Sequence, residues 1–174
     1  MRRFVGKSCN RTDGFVHQVA RRSMLKFELR QMFRSNGLID DIVLFGMPKD
    51  YVQFSDGVRV AMASSKPFVV RADADVCVEI SRDDDLQTLF TSLQNENDEY
   101  FSMHAWNNRN ILRVIGSEQT LAKLSTHLLS VSARPVGYSY ISEFAEAGKY
   151  SSQSPEWRLH VLSDVLSPEA TRSN

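Results

Sequence analysis

Cysteine is nearly missing from this chain. Cys9 and Cys77 are the only two in 174 residues. No disulfide framework can staple such a fold, and a reducing, cytoplasmic compartment is expected. No apolar run reaches the length needed to cross a bilayer, so no membrane association is expected. The start, "MRRFVGKSCNRTDG", is basic but lacks the apolar stretch and small-residue cleavage site of a secretory signal. There is no Walker loop, no dinucleotide glycine pattern and no G-x-S-x-G elbow. His17, His104, His127 and His160 are scattered without zinc-ligand spacing. No metal and no cofactor is expected, and the missing motifs weigh against an enzyme, although triads assemble in space rather than in sequence.

Net charge is also missing, but its zero conceals an asymmetry. Residues 1–34 hold nine Lys/Arg against two acids, and residues 73–99 hold nine acids against Arg82 alone. Residues 1–23 read as a basic leader or flexible arm, 24–166 as one α+β domain and 167–174 as a polar tail. The basic cluster is short and aperiodic, so nucleic acid is not the expected partner.

Alternation of Leu25, Phe27 and Leu29 with charged residues favours a strand over 24–34, and "IVLFG" at 42–46 reads as a buried strand. In "YVQFSDGVRVAMA", Asp56-Gly57 reads as a turn between two strands, with "FVVR" as the next. Val76, Val78 and Ile80 alternate as a strand. Ser81 then offers an N-cap to a helix carrying Leu86, Leu89, Phe90 and Leu93 on one face. "EYFSMHAW" and "ILRVIG" read as strands. Ser117 caps a second helix with Leu121, Leu124, Leu128 and Val131 on its buried side, and "RPVGYSYI" follows as a strand. The expected fold is thus α+β: an antiparallel sheet with two amphipathic helices on one face, in split-βαβ (ferredoxin-like) order over residues 75–141. Trp157, Leu159 and Val161 alternate in a last strand. No internal sequence repeat is evident.

The densest chemistry is "DADVCVEISRDDD", with five aspartates and a glutamate between Asp73 and Asp85. It lacks the EF-hand spacing and its turn glycine. Asp83, Asp84 and Asp85 suit a first helical turn, where each carboxylate stabilises by roughly 0.3–1 kcal/mol. That leaves Asp75 and Glu79 unexplained. Tyr100, His104 and Trp106 fall on one side of their strand, and in the expected sheet Asp75, Cys77, Glu79 and Arg113 share that side. Rings with a polar handle beside acids suit a cationic protein partner. The candidate partner-binding residues are Asp75, Glu79, Asp83, Asp84, Asp85, Tyr100, His104 and Trp106. The competing reading makes these rings core and Glu79–Arg113 a cross-strand ion pair.

A small α+β chain, acidic beyond its arm and ending in "SPEWRLHVL" (Ser154–Leu162), resembles the immunity proteins of bacterial polymorphic toxin systems. The resemblance implies a non-enzymatic protein that neutralises a toxin domain, often a cationic one, by occluding its functional surface. Two further readings stay open. One is a ligand-sensing or regulatory ferredoxin-like domain, pairing with a second copy. The other is an enzyme using His104 with a neighbouring acid.

Overall fold

The computed structural model describes residues 25–34, 37–64, 66–72, 76–94, 109–144 and 150–163. The arm at 1–23, the strand expected at 99–106 and the tail at 167–174 lie outside them. The α+β class stands, but the described residues build two four-stranded sheets instead of one. The first half runs β1 (Lys26–Arg34), β2 (Gly37–Gly46), α1 (Pro48–Ala63), β3 (Phe68–Arg71) and β4 (Cys77–Arg82). The second runs β5 (Phe90–Gln94), β6 (Ile111–Gly116), α2 (Glu118–Ser132), β7 (Gly137–Tyr140), the single turn α3 (Ile141–Phe144) and β8 (Glu156–Val161).

Sheet A has the order β1-β2-β8-β7 and sheet B the order β3-β4-β6-β5. Each has one parallel pair at its centre, β2 with β8 or β4 with β6, flanked by antiparallel pairs. The two halves are therefore one ββαββ unit used twice. Each half gives its first strand pair to one sheet and its second to the other. By element order, sheet position and register, β1, β2, α1, β3 and β4 correspond to β5, β6, α2, β7 and β8. The helices match at residues 70 apart: Tyr51, Phe54, Ser55, Val58 and Ala61 are buried, as are Leu121, Leu124, Ser125, Leu128 and Val131. The helices pack on each other and touch both sheets, and one apolar cluster joins all of them. At the crossing the two equivalent serines meet. Ser55 Oγ lies 2.8 Å from Ser125 Oγ and 2.9 Å from the Ser125 carbonyl, so both buried hydroxyls are satisfied.

Two expected elements are corrected. Residues 51–63 form helix α1, not a hairpin. Pro48 stands in its first turn, where no amide partner is needed, and the Met47 N–H donates to Asp50 Oδ2 at 2.9 Å. Gly57 is demanded by closeness, not by a turn: a Cβ there would come within 2.8 Å of Val70 Cγ2 and 2.9 Å of Phe68 Cε1 on β3. Gly57→Val should therefore destabilise the protein by about 1–3 kcal/mol in urea unfolding, even though glycine is a poor helix former. A gain in stability would refute this packing account.

The helix expected after Ser81 is absent. Ser81 and Arg82 continue β4, residues 83–88 turn, and Phe90–Gln94 is strand β5. Leu89 and Thr91 point inward with period two, both fully buried. The split-βαβ order over 75–141 therefore does not form: between β4 and α2 the described elements are two strands, β5 and β6.

Candidate functional site

Asp83, Asp84 and Asp85 occupy the exposed turn after β4. The Asp85 N–H donates to Asp83 Oδ1 at 3.1 Å, closing an Asx turn. Asp84 does cap a helix, but a distant one: its Oδ1 accepts the N–H of Glu118, the first residue of α2, at 3.1 Å. It is also gripped by Arg82 at 2.8 Å, and that guanidinium, then the Glu118 N–H, holds its carboxyl below the usual range. Arg82 further reaches Glu118 at 2.7 Å and the Met62 carbonyl at 3.1 Å. Asp84 is thus structural, while Asp83 and Asp85 face solvent. Glu79 pairs with Arg113 across the parallel strands at 2.9 Å, on the outer face of sheet B. That is the cross-strand pair of the competing reading. Asp75, Tyr100, His104 and Trp106 lie outside the described residues.

Among the described residues, recognition-type side chains concentrate on the outer face of sheet A. The register sets three rows across β1, β2, β8 and β7. The first is Arg30, Asp41 and Glu156. The second is Glu28, Val43, Arg158 and Tyr140. The third is Lys26, Phe45, His160 and Tyr138. Rings fill one corner: His160 stacks on Phe45 at 4.9 Å and meets Tyr138 at 5.5 Å, and Tyr138 meets Tyr140 edge-on at 5.5 Å. The Arg158 guanidinium lies 5.1 Å from the Tyr140 ring centre. Burial, then the charges of Arg158 and Arg30, push the His160 pKa down, so at pH 7 it is a neutral ring. Beneath this corner the buried Tyr51 of α1 donates its hydroxyl proton to the His160 carbonyl at 2.7 Å, fixing β8 to the helix layer. Glu28 accepts from Lys26 at 3.2 Å and Arg30 at 2.8 Å.

The duplicated architecture supplies an internal control for these rings. Inward positions keep their character in both halves: Leu25 matches Leu89, Ile42 matches Leu112, and Leu44 matches Val114. The outward ring positions do not. Phe45, His160, Tyr140 and Tyr138 of sheet A correspond to Ile115, Ser81, Val69 and Pro67 in sheet B. Sheet B has one outward ring, Phe90, at the place of Lys26. The backbone therefore folds without rings at these positions, and Tyr138 is 57% exposed. Packing does not require them.

No protein-family model matches this chain, and no curated protein does either.

Among the described residues, no three His, Cys, Asp or Glu side chains converge to hold a metal, and no helix is long and apolar enough to cross a membrane. Beside the ring corner, Val131, Arg134, Pro135, Val136, Gly137, Tyr138, Ser139 and Val161 line an open cleft of about 200 Å³, and Val136 at its lip is exposed. The sequence did carry a signal for part of this face. Alternation of Trp157, Leu159 and Val161 inward necessarily turns Arg158 and His160 outward. What it could not reveal was that β2 and β7 would flank them.

Proposed function

We propose that this chain is a non-enzymatic binding protein that neutralises a partner protein by covering its functional surface, as the resemblance to toxin-immunity proteins implies. The outer face of sheet A is the docking surface. The observation that carries this reading is the ring corner, present on one of two equivalent sheets and absent from the equivalent place on the other. Tyrosine and arginine dominate contact energy in protein interfaces because they bury large area with little entropy loss. The exposed acids Asp83 and Asp85 suit a cationic partner, whose approach they would accelerate.

The partner to try first is the product of the reading frame adjacent to this chain's own. In calorimetry with that protein, Tyr138→Ala should weaken binding by about 30-fold, the scale of an interface hot spot. It should change folding stability by under about 0.5 kcal/mol, as expected for an exposed side chain. Full affinity after Tyr138→Ala and Tyr140→Ala would remove this face from consideration.

A further inference from the structure

The first row of the sheet A face contains a carboxylate with no donor. Asp41 is 3% exposed, yet neither of its oxygens accepts a hydrogen bond. Its nearest cation, Arg158 Nη2, stands 3.7 Å from Oδ2, beyond hydrogen-bond reach, and the Arg158 Nε is itself buried without an acceptor. Arg30, across the strand pair from Asp41, gives its guanidinium to Glu28 instead. On its other side Asp41 is in direct register with a second acid, Glu156, whose Oε1 accepts the Trp157 N–H at 3.3 Å. A buried carboxylate without a donor opposes folding. The equivalent pair in sheet B is Ile111 and Cys77, both buried. The fold is content with apolar side chains at this place, so the donorless Asp41 carboxylate serves something other than the fold.

We propose that Asp41 and Glu156 receive an arginine side chain of the partner protein. This rests on the binding reading above and specifies its chemistry. A guanidinium offers paired N–H donors in the geometry a carboxylate accepts, and its flat face stacks on a tyrosine. One guanidinium can reach both complements, since that of Arg158 lies 3.7 Å from Asp41 and 5.1 Å from the Tyr140 ring centre. Arg158 occupies the site through one long ion pair and one ring contact. It swings outward as the incoming arginine takes Asp41 and the Tyr140 face. Arg158 is thus a placeholder for the partner's group.

The site can be tested without a partner, by NMR titration of the full chain with N-acetyl-arginine methylamide. Saturable binding is expected, with shifts centred on Asp41, Glu156 and Tyr140. Asp41→Asn and Glu156→Gln should each weaken it by about tenfold or more, as loss of one member of a charge-assisted pair does. Arg158→Gln should tighten it, because a competitor is removed. Asp56→Asn, on the far exposed face of α1, should leave it unchanged. The citrulline analogue, neutral and of the same shape, should not bind. Absence of saturation, equal binding by citrulline or by the lysine analogue, or indifference to both acid substitutions overturns the proposal. A protein partner that depends on Tyr138 but not on Asp41 also overturns it, while leaving the docking face intact. Arginine binding with no protein partner found on that face would instead strike at the function proposed above.

Discussion

Phe54→Ala should cost about 3–5 kcal/mol of folding stability, the range for emptying a fully buried aromatic site. Phe54 is fully buried on α1 and stacks near-parallel on Trp157 of β8, with ring centres 6.4 Å apart. It therefore ties a helix from the first half to a strand from the second. Removing it opens a cavity where the two halves join, with the large, rigid Trp157 indole unable to fill the space. Folded domains are stable by only about 5–15 kcal/mol, so this one change consumes a large fraction of the total. Its counterpart in the repeat, Leu124→Ala, should cost about 2–5 kcal/mol, less on average because a smaller group is lost. Val52→Ala, two residues away but exposed, should stay within about 0.5 kcal/mol. Urea unfolding of the three variants gives the ranking. A Phe54→Ala loss no larger than that of Val52→Ala would show that the helix layer is not the junction described.

Period-two alternation made most strands legible: β1, β4, β6 and β8 lie where Leu25–Leu29, Val76–Ile80, "ILRVIG" and Trp157–Val161 place them. Helix α2 was legible too, because Ser117 accepts the Thr120 N–H and the apolar spacing that follows is uninterrupted. Residues 48–63 were not, because Gly57 has two uses that look alike in a sequence. A turn needs its backbone freedom, whereas a close helix–strand contact needs its missing Cβ, and only the position of Val70 and Phe68 distinguishes them. Residues 86–93 failed for the opposite reason. Leu86, Leu89, Phe90 and Leu93 fit a helical face, but Leu89, Thr91 and Leu93 fit a strand equally well. Pairing with β6 decides between them. The repeat has no sequence signature because its offset drifts. It is 64 residues for β1 and β5, 70 for the helices and 79 for β4 and β8, so no constant period exists. What the halves share is inward volume and polarity, which packing selects, with few identities beyond Gly46/Gly116 and Ser55/Ser125.

The candidate face was legible only along β8. Asp41 illustrates the limit: beside Asp40 in "GLIDDIVLFG" it reads as an ordinary strand-end polar residue. Its neighbours Glu156 and Arg158 come from more than a hundred residues later, on the next strand.

Asp41→Ile, which installs the residue found at the equivalent position 111, should raise stability by about 1–3 kcal/mol. Three effects add up in its favour. The desolvated carboxylate without a donor disappears, the repulsion from Glu156 disappears, and a β-branched side chain replaces a poor strand former. One effect opposes it. Arg158 loses its 3.7 Å partner, but its side chain is 24% exposed, so its charged end can turn to water while its stem stays on the sheet. The balance is therefore a gain, seen as a rise in Tm of roughly 2–4 °C for each kcal/mol in a chain this long. The same change should abolish binding of the arginine probe. Stability and recognition would then move in opposite directions from one side chain, as expected where a site is kept at the expense of the fold. A loss of stability on Asp41→Ile would mean that the carboxylate is satisfied in solution and that its burial serves the fold after all.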